Sequence, residues 1–362
     1  MKNKTPRNYT GVLSSIFAVT IGLLFGLIVL VICNPSQALP GFLTILNGPV
    51  THGLKGVGQV FYYGTPIILT GLSVGFAFKT GLFNIGASGQ FIVGAFGSVY
   101  VGILWKELGS VHWIVALLFG LLFGAIWGLI PGLLKAYFNV NEVISAIMMN
   151  YLGMYGVNYI VKNTPKIFNK MRNESMPVAE SAKLPKLGLD KLFPGSSVNA
   201  GIIIAILVVL IAYIILNKTT FGYELKAVGF NRDASKFAGI NEKRSIVLSM
   251  AISGAIAGLS GALLYLAGTG KHITIVDTLA AEGFTGISVA LLGLSHPLGI
   301  LVAGLFIAYL TAGGFYLQLY DFSTEIIDII IAVIIYFSAF ALIVKTLISK
   351  AKSRKKEESL HE

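Results

Sequence analysis

Leu13-Ser14-Ser15-Ile16-Phe17-Ala18-Val19-Thr20-Ile21-Gly22-Leu23-Leu24-Phe25-Gly26-Leu27-Ile28-Val29-Leu30-Val31-Ile32-Cys33 is a run of twenty-one residues without a charge. A helix needs about 20 apolar residues to cross the ~30 Å hydrocarbon core of a bilayer. No soluble helix needs such a run. Comparable segments fill the rest of the chain, at 59–78, 84–104, 112–134, 141–161, 199–216, 245–267, 279–295, 298–318 and 325–344. The expected fold is an all-α polytopic membrane protein of about ten transmembrane helices. One of them, 84–104, opens on the polar stretch Asn84-Ile85-Gly86-Ala87-Ser88-Gly89-Gln90. That start suits a helix that is broken or re-entrant near 81–90. Irregular backbone at membrane depth is tolerated only where protein or a cavity shields it.

Composition agrees. The chain has 362 residues, 55% hydrophobic and 12% charged, against roughly 25% charged in a soluble domain. One transmembrane domain, 1–362, is the economical organisation. The net charge of +11 sits at Lys2, Lys4 and Arg7, in short loops, and in the basic tail 345–362. Cytoplasmic loops and anionic lipid account for such an excess, and no nucleic-acid module is present. The amino-terminal pattern resembles a signal peptide, but its apolar run is too long, which favours an uncleaved first helix.

Ten crossings put both basic ends in the cytoplasm. The loop 217–244 is then cytoplasmic and 162–198 external. The charge rule alone does not decide this, since the first carries six Lys/Arg and the second seven. The external assignment of 162–198 rests on its lower charge density and on Pro165, Pro177, Pro185 and Pro194.

Small residues recur every fourth position, as Gly120, Gly124, Gly128 and Gly132, as Gly254, Gly258 and Ala262, and as Gly22 with Gly26. Such ridges let helix backbones approach closely in lipid, so the expected body is a compact bundle.

Four polar stretches could carry function. In the first, a continuous helix would stack Asn84 on Ser88. With Gln90 they offer uncharged hydrogen-bonding groups to a neutral solute, or else staple neighbouring helices. In the second, Asn141-Glu142-Val143-Ile144-Ser145 leads to Asn150. Glu142 suits a cap at the helix start, Asn141 and Ser145 share a face, and Asn150 lies deeper, where it could line a solute pathway. In the third, Glu282 either caps a helix start or lines a polar cavity, ahead of Gly283-Phe284-Thr285-Gly286-Ile287-Ser288. The fourth is the loop 217–244, too polar to cross. Asn231 suits a helix cap, Asp233 the first turn and Gly239 the stop, giving a short helix over 231–238. It would lie on lipid headgroups or dock a cytoplasmic partner.

Several classes are excluded. No Gly-x-x-x-x-Gly-Lys-Ser/Thr loop is present, so nucleotide hydrolysis would fall to another chain. His52, His112, His272 and His296 have no ligand spacing, and Cys33 stands alone, so no metal, cofactor or catalytic residue is expected.

Together these stretches resemble a family. Gly81–Gln90, Asn141–Tyr151, Ala227-Val228-Gly229-Phe230-Asn231 with Ala238-Gly239-Ile240, and Gly283–Gly293 with His296-Pro297-Leu298-Gly299 are similar to the permease subunits of bacterial nucleoside and simple-sugar ABC importers. The resemblance covers roughly 55–345. It implies two cytoplasmic ATPase subunits, a second homologous permease subunit and an extracytoplasmic solute-binding lipoprotein as partners. It also makes 217–244 the coupling loop, with Glu224, Gly229, Asn231, Arg232, Asp233, Ala234, Ala238 and Gly239 at the ATPase contact. Nucleosides are the expected solute, simple sugars the alternative. An ion-driven secondary transporter or a membrane-embedded enzyme fits less well.

Overall fold

The computed structural model describes residues 10–323, 325–334 and 336–337. Lys2, Lys4, Arg7, the tail 345–362 and the end of the expected span 325–344 lie outside them. The chain divides into two compact units, Met1–Gly48 with Leu310–Glu362, and Pro49–Tyr309.

In the first unit α1 (Thr10–Cys33) holds the opening apolar run. It is followed by α2 (Ala38–Thr51), a helix the sequence reading did not anticipate. Gly22 and Gly26 of α1 face Ile334 and Ile330, where a methyl group on either glycine would collide.

The second unit is built from α3 (Gly53–Phe78), α4 (Ala87–Leu104), α5 (His112–Phe138), α6 (Glu142–Asn163), the one-turn α7 (Leu189–Leu192), α8 (Gly201–Lys218), α9 (Thr220–Phe230), α10 (Arg232–Phe237), α11 (Glu242–Tyr265), α12 (Ala281–Leu292) and the first part of α13 (Pro297–Phe315). Between α6 and α7 a short antiparallel pair, β1 (Phe168–Asn169) with β2 (Glu174–Ser175), folds the loop back.

Six described helical stretches are long and apolar enough to cross a membrane: Gly53–Phe78, Ala87–Leu104, Lys106–Phe138, Gly201–Lys218, Glu242–Tyr265 and Pro297–Tyr320. They establish an all-helical polytopic architecture without establishing ten crossings. The expected span 279–295 is the clearest departure. Its helix α12 has 12 residues, about 18 Å at ~1.5 Å per residue, too short for the ~30 Å core. The segment before it, 266–280, is not helical.

The glycine ridges meet each other. A Cβ on Gly258 would stand 2.7 Å from the Gly124 Cα, and one on Gly254 would stand 2.9 Å from the Gly128 Cα. Gly132 fits over the Met250 side chain, and Gly94 of α4 lies on Gly258. The α4–α5–α11 core is thus packed backbone to backbone, as expected where the solvent is itself apolar.

Loops gather at opposite ends. At one end His112 Nδ1 is 2.8 Å from Ser181 Oγ, and the amides of Ala179, Leu184 and Ser175 donate to the carbonyls of Gly102, Leu266 and Ile273. At the other end Lys135 pairs with Glu142 at 2.9 Å and Arg232 with Glu242 at 3.7 Å. Lys243 there caps the Tyr137 ring at 5.1 Å. The loops 162–198 and 217–244 therefore belong to different ends of the unit.

Candidate functional site

The backbone turns out of α3 at Lys79 and enters α4 at Ala87, with Gly81 at φ +71°. Asn84 lies in this connection, ahead of α4, so it does not stack on Ser88 as a continuous helix would require. The break falls before the helix, and α4 itself runs unbroken to Leu104.

Asn84 is fully buried. Its Oδ1 accepts from the Gly86 amide at 3.1 Å, which fixes the turn into α4. Its Nδ2 donates to Gln90 Oε1 at 2.8 Å and to Ser253 Oγ of α11 at 2.7 Å, and Gln90 Nε2 donates back to Asn84 Oδ1 at 3.1 Å. Ser253 Oγ in turn donates to the Ser73 carbonyl of α3. Asn150 of α6 accepts from the Gly89 amide at 2.7 Å and donates to the Ile85 carbonyl at 3.0 Å. Ser88 donates to the Ala280 carbonyl at 2.8 Å, at the start of α12.

The structure thus brings Asn84, Ser88, Gln90 and Asn150 together, from the α3–α4 connection, α4 and α6. No buried side-chain nitrogen or oxygen among the described residues lacks a partner. In this conformation the cluster is saturated internally. Each of its bonds replaces one that water would make, and leaving a partner bare at this depth costs about 1–3 kcal/mol. Any solute that binds these groups must displace those bonds.

The other singled-out residues lie elsewhere. Asn141 caps α6, accepting from the Val143 amide at 2.9 Å, and Ser145 Oγ donates to the Asn141 carbonyl at 3.2 Å. Glu142 occupies the first turn and pairs with Lys135. Glu282 sits in the first turn of α12, paired with Lys271 at 3.2 Å. Ser73, Thr80, Ser249 and Ser253 were not singled out in the sequence. Thr80 donates to Ser249 at 2.8 Å, and Ser249 with Ser253 forms a four-residue rung on α11, a spacing that was available to be read.

The polar segment 217–244 folds as two helices. Thr219 caps α9, accepting from the Gly222 amide, which makes a helix of residues expected to be loop. Asn231 ends α9 and caps α10, accepting from the Ala234 amide at 2.9 Å. Gly239 at φ +84° stops α10. The expected short helix and both its boundaries are where the sequence places them. Arg232 reaches Glu242 on α11, Asp233 lies in the first turn, and Ser235 is buried with its hydroxyl on the Arg232 carbonyl.

An open groove of about 600 Å³ runs between α9 and α10, lined by Tyr223, Glu224, Ala227, Ala234, Ala238 and Ile240. Phe230 and Phe237 project beside it, 92% and 93% exposed. Beneath the groove Gly229 rests on the α3–α4 connection, and a Cβ there would stand 2.9 Å from the Gly81 amide nitrogen. Lys79 at this contact has its pKa lowered, first by burial and then by the nearby Lys226 charge. The α9–α10 elbow is therefore seated on the stretch that leads into the amide cluster.

Residues 56–339 match the family model described as branched-chain amino acid transport system / permease component. The guanosine ABC transporter permease protein NupP of Bacillus subtilis is 37% identical, over 94% of this chain and 96% of that protein. The nucleoside ABC transporter permease protein NupB of Lactococcus lactis is 33% identical over 99% and 98%. The glucose ABC transporter permease protein TsgB13 of Haloferax volcanii is 30% identical over 78% and 75%. No solved structure matches. A helical, glycine-packed bundle whose polar elbow is anchored on a buried amide cluster, matched over most of its length in this way, belongs to the family of multi-pass cytoplasmic-membrane permease components of ABC transport systems.

Proposed function

We propose that this chain is the permease subunit of an ATP-driven importer that moves nucleosides across the bacterial cytoplasmic membrane by alternating access. The nucleoside assignment draws on two near-full-length relatives named for guanosine and nucleoside transport. Simple sugars are the second reading, favoured by the glucose relative.

The observation that carries the mechanism is the seat of Gly229 on residues 79–81. The α9–α10 elbow is the coupling element and 217–244 is cytoplasmic. The ATPase subunits contact it through Phe230, Phe237 and the groove lined by Glu224, Ala234 and Ala238. Asn231, Arg232, Asp233 and Gly239 hold its shape. Movement of the elbow displaces the α3–α4 connection, and with it the bonds of Asn84, Gln90 and Asn150. Those amides then become free to line the solute path with Ser88, Asn141, Ser145 and Glu282. ATP hydrolysis is done by the partner subunits, since this sequence has no phosphate-cradling loop. A second permease subunit completes the path, and a lipoprotein delivers solute to the end holding 162–198.

Uptake of labelled guanosine, uridine and ribose by cells expressing the whole transporter tests this reading. ATP-dependent uptake of the nucleosides supports it. Uptake of ribose alone selects the sugar reading, and uptake that needs no ATPase overturns both.

A further inference from the structure

Helix α6 joins the amide cluster through Asn150, which accepts from the Gly89 amide and donates to the Ile85 carbonyl. Both bonds run to the α3–α4 connection and the start of α4. Elsewhere α6 is fastened to other elements. Glu142 in its first turn pairs at 2.9 Å with Lys135 in the last turn of α5. The Met149 carbonyl accepts from the Trp127 indole of α5 at 3.0 Å. Asn158 donates to the Val276 carbonyl, in the segment before α12, at 2.9 Å.

Of these supports α5 is the firmest. Its glycine ridge lies backbone to backbone on α11, and interiors packed this closely do not deform by small steps. The Lys135–Glu142 pair ties α6 to that frame at the end where the α9–α10 elbow sits. Its side chains are 23% and 16% exposed. Salt screens such a pair less than an exposed one, and removing one partner strands a charge that is largely withdrawn from water. The pair borders an open polar cavity of about 250 Å³, lined from other sides by Gly81 of the connection and by Gly229, Asn231 and Arg232 of the elbow. Arg232 is turned to Glu242, and among the described residues no ion pair crosses this space. The elbow and the start of α6 are thus separated by a gap, which leaves room for one to move without pushing the other.

We propose that Glu142 is a positioning residue for coupling: paired with Lys135, it anchors α6 on α5 while the elbow displaces the α3–α4 connection. The proposal rests on the coupling role of the elbow given above. Breaking the two Asn150 bonds requires that one side be held while the other moves. Displacement of the connection carries Ile85 and Gly89, and the anchor keeps Asn150 behind. Without the anchor α6 follows the connection, Asn150 keeps both bonds, and the solute path stays closed to that amide. Glu142 also suits the positive end of the helix dipole. Substitutions at Lys135 leave that role intact and so isolate the anchor.

The test measures ATP hydrolysis by the purified complete transporter, with and without guanosine, and with and without ribose. Lys135→Met removes the pair, and Lys135→Arg preserves it. Stimulation by solute is expected to fall roughly tenfold in Lys135→Met and to stay near the unsubstituted value in Lys135→Arg. Equal stimulation in the two variants overturns the proposal. Glu142→Gln, which keeps the shape of the side chain, decides the matter if Lys135→Met does not fold: a similar loss supports the anchor and full stimulation overturns it. A merely structural pair is distinguished by combination with Asn150→Ala. Sites that act through one another are not additive, so Lys135→Met should add no further loss there, and a multiplied loss overturns the proposal. If neither guanosine nor ribose stimulates the unsubstituted complex, the importer reading fails first and takes this proposal with it, before any substitution is made.

Discussion

Gly229 of α9 and Gly81 of the α3–α4 connection lie backbone to backbone. A Cβ on Gly81 would stand 3.2 Å from the Gly229 Cα, and one on Gly229 would stand 2.9 Å from the Gly81 nitrogen. Both contacts are tighter than ordinary packing allows, so neither position has room for a side chain. This joint links the elbow to the amide cluster. Gly229→Ala is expected to strain it by about 1–3 kcal/mol, leaving a folded permease whose ATP hydrolysis no longer responds to solute. Solute-stimulated hydrolysis by the purified complex checks this, and wild-type stimulation would remove the joint from the coupling route.

Ala234 is exposed on the rim of the groove. A charge there should leave the fold intact and weaken ATPase docking by about 1–3 kcal/mol, as for a desolvated unpaired charge at an interface. Co-purification of the ATPase subunits with Ala234→Asp is expected to fall, with expression unchanged.

Asn84→Ala removes the partner of Gly86, Gln90 and Ser253 at once. A loss of about 2 kcal/mol or more in stability is expected for a buried group of this kind. Thermal unfolding in detergent should show it, and uptake should fall at equal expression. Normal uptake with lowered stability would assign Asn84 to holding helices alone.

Gly258→Leu inserts a large side chain where the Gly124 Cα lies within 2.7 Å of a built Cβ. Backbone on both sides cannot yield, so the cost should exceed the ~1–3 kcal/mol of ordinary overpacking. The expected outcome is loss of monodisperse protein on size exclusion.

His296, in the turn between α12 and α13, has its pKa lowered, first by burial and then by the Lys79 charge. A depressed histidine binds its proton less readily when folded than when unfolded. Its contribution is therefore present above the ordinary histidine range near 6.5 and is lost as pH falls through it. Unfolding midpoints from pH 8 to 5.5 should decline less in His296→Gln than in the unsubstituted chain.

Much of the helix layout was legible because apolar runs, capping residues and glycine ridges are local or periodic signals. Asn231, Gly239 and the Gly120–Gly132 ridge are examples. Helix α2 was not legible, since Pro40, Asn47, Gly48 and Pro49 interrupt its apolar pattern. Helix α9 was missed because its polar residues suggested a loop. The short α12 was over-extended at both ends, because the expected span 279–295 took in Ala280, which precedes the helix, and the turn at Leu294 and Ser295, both at positive φ. The partners of Asn84 were out of reach altogether. Ser253 is 169 residues away in sequence, and only the packing of α3, α4 and α11 brings it near.

The central claim is that the α9–α10 elbow faces the cytoplasm, where a separate ATPase can grip it. Lys236 is the position to probe, because it is exposed on α10 whereas the neighbouring Ser235 is buried. In a Cys33→Ser background, Lys236→Cys is treated with a membrane-impermeant maleimide in intact cells and in inverted vesicles. Labelling only in inverted vesicles, reduced when the ATPase subunits are present, is the predicted result. Labelling in intact cells would put the elbow on the outer face and contradict the account.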